Sequence, residues 1–260
     1  MNNRIQQAFA RGKAFIPFIT GGDPDLETTG ELVREMEAAG ADIIEIGIPF
    51  SDPIAEGPVI QAASERALQG GTTVDKLFDL VEELRKTVKI PLLFMGYANS
   101  VFGYGAEKFF EKCSQVGVDG LILPDIPFEE KDEFQDLSEK YQVTLISMVA
   151  PTSSQRARAI AREAQGFLYC VSSLGVTGVR EELHQQISDI VKQAKEVSEV
   201  PCAIGFGIST PQQAREMAGF ADGVIVGSAI VKLVEAKGRD CVPEVRAYVG
   251  KMKEALKGFM

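Results

Sequence analysis

The stretch "ADIIEIGIPFSDPIAEGPVIQAASERALQG" (41–70) holds one complete structural unit. "ADIIEIGI" (41–48) is a short apolar run without clean alternation, as expected of a parallel strand covered on both faces. A loop stiffened by proline and ended by glycine follows, and "PVIQAASERALQG" (58–70) then reads as a helix. Similar runs recur along the chain: "AFIPFIT" (14–20), "PLLFMGY" (91–97), "GLILPD" (120–125), "TLISMVA" (144–150), "GFLYCVS" (166–172), "PCAIGFG" (201–207) and "GVIVGSA" (223–229). Amphipathic segments separate them. "LETTGELVREMEAAG" (26–40) sets Leu32, Met36 and Ala39 at helical spacing and ends on Gly40, a residue suited to a C-terminal cap. "VDKLFDLVEELRKTV" (74–88) follows two N-cap candidates, Thr72 and Thr73.

Eight strand-then-helix units in about 250 residues predict a single (β/α)8 TIM barrel over residues 1–260. "RIQQAFARGK" adds an N-terminal helix that would cover the barrel's bottom, and "GSAI" opens a short helix after strand eight. A doubly wound sheet fits less well, since it usually has fewer strands and an early G-x-G-x-x-G turn.

Of the 260 residues, 45% are hydrophobic and 25% charged, with a formal net charge of −10 and no long basic run. Nucleic acid and anionic membranes need a cationic face and are disfavoured as partners. A small phosphate ligand is not, because backbone N–H groups can hold one locally. Cys113, Cys170, Cys202 and Cys241 are far apart, which points to reduced structural thiols, and the single histidine, His184, excludes multi-histidine metal sites. No metal is expected. The N-terminus lacks a signal-peptide core and no apolar run is long enough to span a membrane, so a cytoplasmic location is expected.

In such barrels chemistry collects where strands end. Glu45 lies between Ile44 and Ile46 near the end of strand two, where burial would raise its pKa and suit it to proton transfer. In the loop beyond, Ser51 or Asp52 would cap a turn, and Glu56 could face Glu45 across the mouth. Glycines follow the last three strands: Gly175 and Gly178 in "SSLGVTG", Gly205 and Gly207 in "GFGIST", and Gly227 before Ser228 in "GSAI". Three such sets on adjacent strand ends predict a phosphate cradle. Phe18, Met95, Tyr97, Tyr169 and Phe206 are either ordinary core or the walls of a pocket for a flat apolar group.

"FIPFITGGDPD", "IEIGIPFSDPIAEGPVIQ", "YANSVF", "PDIPFEE", "SSLGVTG", "GFGIST" and "VGSAIVK" occur in order over nearly the whole chain and resemble the tryptophan synthase α-subunit family. The resemblance implies a lyase of tryptophan biosynthesis. Its reaction would be retro-aldol cleavage of indole-3-glycerol phosphate to indole and D-glyceraldehyde 3-phosphate, without a cofactor. It puts Glu45 on the catalytic glutamate and Glu56 on an acid, usually aspartate, that meets the indole N–H. It puts Thr177, Gly178, Gly207, Gly227 and Ser228 around the phosphate, and Phe18, Met95, Tyr97, Tyr169 and Phe206 around the indole. It also implies an α2β2 complex whose β subunit carries pyridoxal phosphate, with Pro53, Asn99, Asp125 and Pro127 facing that partner. Loops 50–57 and about 173–185 would act as lids. The sequence departs from the pattern at Glu56 and at Ser173 and Leu174, where well-known relatives carry Arg-Ser. A free-standing indole-3-glycerol-phosphate lyase and a non-catalytic activator of a β subunit are the alternatives.

Overall fold

The computed structural model describes residues 4–151, 153–171, 180–205 and 207–259, with only the backbone for 180–184. Nine parallel strand segments form one sheet: β1 (Ala14–Thr20), β2 (Ile44–Gly47), β3 (Leu92–Met95), β4 (Gly120–Ile122), β5 (Thr144–Leu145), β6 (Ser147–Val149), β7 (Leu168–Cys170), β8 (Cys202–Gly205) and β9 (Gly223–Val226). Their spatial order is β5-β4-β3-β2-β1-β9-β8-β7-β6. β5 and β6 are one run, read from the sequence as a single strand. Its first half pairs with β4 and its second with β7, and the changeover is at Ile146, whose N–H still donates to the Leu121 carbonyl at 2.9 Å. The run therefore joins the two ends of the sheet, and eight strand positions close a barrel of the TIM type.

Helices fill the outside: α1 (Arg4–Ala10), α2 (Leu26–Ala38), α3 (Pro58–Gln69), α4 (Val74–Leu84), α5 (Ala98–Tyr104), α6 (Ala106–Val116), α7 (Asp132–Tyr141), α8 (Ser154–Glu163), α9 (Arg180–Lys195), α10 (Pro211–Ala218), α11 (Ser228–Lys237) and α12 (Val242–Ala255). Local chemistry sets several starts. Thr73 caps α4 by accepting from the Lys76 N–H, and Thr210 and Gln213 form a reciprocal capping box on α10. Two elements differ from the sequence reading. α5 lies in the stretch "YANSVF", which had no helical assignment, and the helix after the last strand runs for ten residues rather than one short turn.

Alternation decides what enters the barrel. Phe15 and Ile19 of β1 and Ile44 and Ile46 of β2 pack outward into the helix layer, while Ala14 and Ile16 join Ile43, Leu93, Ile122, Ile146, Phe167 and Ile225 inside. As the sequence suggested, α1 covers the bottom: Ile5 and Ala8 belong to the inner cluster, and Phe9 lies 5.6 Å from the Phe167 ring.

The bottom rim carries a recurrent device. Asp42, Asp119 and Asp222 stand just before β2, β4 and β9. Each accepts from an N–H of the neighbouring strand: Phe15 at 2.7 Å, Leu92 at 2.9 Å and Cys202 at 2.9 Å. Each is also met by a cation: Lys253 at 2.6 Å for Asp42, Lys195 at 2.8 Å for Asp222, and Arg4 at 2.7 Å together with Arg85 for Asp119. The four cysteines are free and buried.

Candidate active site

Because Ile44 and Ile46 face the helices, period two turns Glu45 into the barrel. Its Cα is in register with Phe18 of β1 and Leu93 of β3. It is 0% exposed, and neither carboxyl oxygen has a hydrogen-bond partner among the described residues. Burial pushes its pKa up to about 8. At neutral pH Glu45 therefore rests as the protonated acid, poised to give a proton and take one back.

Glu56 sits in the loop between β2 and α3. Two carbonyls of this loop, Pro53 and Glu56, accept from the Gln61 side chain at 3.2 and 2.8 Å, which anchors the loop to the helix that follows. The Glu56 carboxylate accepts from the Tyr97 hydroxyl, and that hydroxyl accepts from the Ala55 N–H at 2.9 Å. Burial raises the Glu56 pKa, opposed by the Tyr97 bond and aided by the charge of Asp125. The Ser51 hydroxyl donates to Asp52 at 2.5 Å on the surface, and Gly57 holds the N-cap position without a side-chain bond.

A cavity of about 990 Å³ opens over the strand ends. Phe18, Glu56, Met95, Tyr169, Gly207, Gly227 and Ser228, all expected at the site, line it. Gly207 takes φ +61°, a conformation that favours glycine, and a side chain on Gly205 would strike Tyr169. Gly227 and Ser228 open α11 at the cavity wall, and the first N–H groups of a helix lack intrahelical acceptors. Tyr169 feels both acids electrostatically. Its hydroxyl is held un-ionised, first by burial and then by the charges of Glu45 and Glu56.

Two expected residues stand elsewhere. Glu45 is not part of the cavity wall, although its register partner Phe18 and its electrostatic neighbour Tyr169 both are. Tyr97 does not line the cavity either: its ring stacks on Phe50 at 5.0 Å and its hydroxyl serves the loop. Thr177, Gly178, Phe206 and most of the second lid lie outside the described residues. The sequence reading missed Ile208, Ile225 and Lys232 of the wall. Lys232 was accessible, being one helical turn beyond Ser228. Of the four residues expected to face a partner, Asn99 and Pro127 are exposed and Asp125 is half-buried, its two oxygens each 3.1 Å from the Ala98 N–H. Pro53 is buried; its neighbour Ile54 stands out at 80% exposure.

With this geometry in place, comparison with known proteins is decisive. The family described as "Tryptophan synthase alpha chain" matches residues 5–257. The chain belongs to the tryptophan synthase alpha chain family. It is 50% identical to the tryptophan synthase alpha chain of Shouchella clausii (strain KSM-K16) over 97% of both chains. It is 47% identical to that of Thermoanaerobacter sp. (strain X514), over 98% of this chain and 100% of the relative. The crystal structure of tryptophan synthase subunit alpha from Legionella pneumophila str. Paris superposes with a TM-score of 0.89 at 37% identity, covering 98% and 99% of the two chains. As a tryptophan synthase alpha chain it is a lyase of tryptophan biosynthesis that cleaves indole-3-glycerol phosphate.

Proposed function

We propose that the 260 residues act as one catalytic domain in which Glu45 and Glu56 share the chemistry of this cleavage. The observation that carries the reading is the pair of unpartnered, fully buried oxygens on Glu45, beside a cavity whose opposite wall is glycine-rich. Glycerol phosphate docks with its phosphate on the N–H groups at Gly207, Gly227 and Ser228, and Thr177 and Gly178 complete that side. Phe18, Met95, Tyr169 and Phe206 hold the indole.

A side-chain rotation carries the Glu45 carboxyl between Phe18 and Tyr169 to indole C3. Protonation of C3 gives an indoleninium ion, whose N–H charge Glu56 stabilises. The Glu45 carboxylate then takes the proton of the adjacent glycerol hydroxyl. The C–C bond breaks, its electrons return to the indole ring, and the hydroxyl carbon becomes the aldehyde of D-glyceraldehyde 3-phosphate. Glu45 ends protonated as it began, so the step is balanced without water or a cofactor.

Family membership implies a β-subunit partner. We assign the partner face to the top of the barrel, where Asn99, Asp125 and Pro127 accompany Ile54 and the 51%-exposed Phe102. Pro53 supports that face from beneath. In an α2β2 assembly, pyridoxal phosphate belongs to the β subunit. Among the described residues no helix is long and apolar enough to cross a membrane, and a cytoplasmic location is part of the proposal.

The test is indole release by wild-type chain and Glu45→Gln, with and without β subunit. The variant should lose roughly 100- to 10,000-fold in turnover while still binding substrate. Near-normal turnover would remove Glu45 from the mechanism. Fast turnover by the isolated wild-type chain would favour the free-standing lyase. An inactive wild-type chain that still stimulates a β subunit would favour the activator.

A further inference from the structure

We propose that Tyr97 is a positioning residue for Glu56, fixing through one phenolic oxygen both the acid and the loop that carries it. The proposal rests on the reading of Glu56 as the group that meets the indole N–H.

Tyr97 is buried at the start of α5, outside the cavity, whereas Ala55 and Glu56 line it. Its hydroxyl is turned to the loop, so its effect on the substrate runs through Glu56. Its ring is held by the Phe50 stack, at the other end of the same loop, with 26° between the planes. The hydroxyl faces two groups of opposite demand. The Ala55 N–H can only donate and occupies a lone pair of the phenol at 2.9 Å. The single phenolic proton is thereby directed to Glu56 Oε2. The carboxylate also accepts from the Glu56 backbone N–H, so its plane is set within the loop, and its remaining lone pairs can receive a substrate N–H.

The loop's other fixings, from Gln61 to the Pro53 and Glu56 carbonyls, hold backbone only. Among the described residues, Tyr97 supplies the side-chain donor to the Glu56 carboxylate, whose other donor is the Glu56 backbone N–H. Asp125 approaches from the loop after β4 but is an acid, tied to the Ala98 N–H, and repels the carboxylate. Glu56 and Tyr97 therefore form one unit.

Tyr97→Phe keeps the ring and removes the oxygen. Measured as release of glyceraldehyde 3-phosphate in the complex with β subunit, kcat should fall roughly 10- to 100-fold. KM should change little, because the phosphate and indole walls are untouched. In a Glu56→Ala background the same substitution should cost nothing further. An unchanged kcat in Tyr97→Phe, or an equal loss in both backgrounds, overturns the proposal. If Glu56→Ala itself is fully active, the reading of Glu56 fails instead, and the two failures are thereby separated. A measurement on the wild-type chain needs no variant to fold: the Ala55 amide should be protected from hydrogen exchange, and should stay protected in Glu56→Ala. Exchange at the free rate in the wild type also overturns the proposal.

Discussion

At the bottom of the barrel, Asp119 accepts from Arg4, Arg85 and the Leu92 N–H; at the top, Glu45 accepts from nothing among the described residues. Both are acids inside a packed ring of parallel strands, and the physical cost of burying them is the same in kind. The bottom offsets it with cations from α1, α4, α9 and α12 and with N–H groups that the strands leave over at their starts. The top leaves it in place. Thr20 sharpens the contrast: it shares the inward face of Phe18, and its hydroxyl is also buried without a partner. An end that satisfies its polar groups contributes stability. An end that leaves them unsatisfied keeps a proton donor neutral and ready for substrate, and the fold tolerates this because the other end is tied down.

The largest effect that can break this comparison is linked to pH. Glu45 titrates near 8 in the folded chain and near 4.5 when unfolded. Between those values the native state holds a proton that the unfolded state has released, so Glu45 costs progressively more stability as pH rises. Glu45→Gln removes the titration. Its stability relative to wild type should improve by about 4 kcal/mol between pH 5 and pH 8.5. Urea unfolding at the two pH values measures this. A pH-independent difference would mean that Glu45 is solvated or paired after all.

Asp119 probes the other end. Asp119→Ala leaves Arg85, 11% exposed at its side chain, without its counter-charge and the Leu92 N–H without its acceptor. A loss of about 3 kcal/mol is expected, with kcat and KM preserved. A comparable fall in turnover would show that the two ends are not separable.

Much of this division could be read in the sequence, for identifiable reasons. Glu45 between two isoleucines can face only one way once both isoleucines are assigned to the helix layer, so its burial followed from period two. The place of Gly207 and Gly227 on the cavity wall was legible because glycines recur where the last strands end. The bottom acids carried a signal that spacing offers directly: "GAD" (40–42), "GVD" (117–119) and "FAD" (220–222) each precede a strand. Tyr97 was not legible in the same way. A tyrosine at a strand end looks like a pocket wall, and only the return of the loop, which puts Ala55 and Glu56 on its hydroxyl, shows otherwise. Pro53, expected to face a partner, is buried, because the chain turns Ile54 outward instead. The changeover of pairing partners at Ile146 is likewise a property of ring closure rather than of any local run of residues.

The smallest effect concerns the boundary between the tied and the untied end. Gly205 closes β8 beneath Tyr169, and a Cβ there would lie 2.5 Å from the phenolic oxygen and 2.6 Å from the ring. Gly205→Ala must push Tyr169 toward the cavity, where it stands near both acids. A cost of about 2 kcal/mol is expected from overpacking, visible as a lower melting temperature, together with weaker substrate binding. Gly207→Ala separates this clash from general backbone sensitivity. Its added Cβ meets nothing within 4 Å, but its φ of +61° makes the backbone itself the source of about 1 kcal/mol of strain. Tyr169→Phe should therefore recover part of the loss in Gly205→Ala and none of it in Gly207→Ala. Equal recovery in both backgrounds would mean that Tyr169 is not held by Gly205, and that the position of the phenol between Glu45 and Glu56 is set elsewhere.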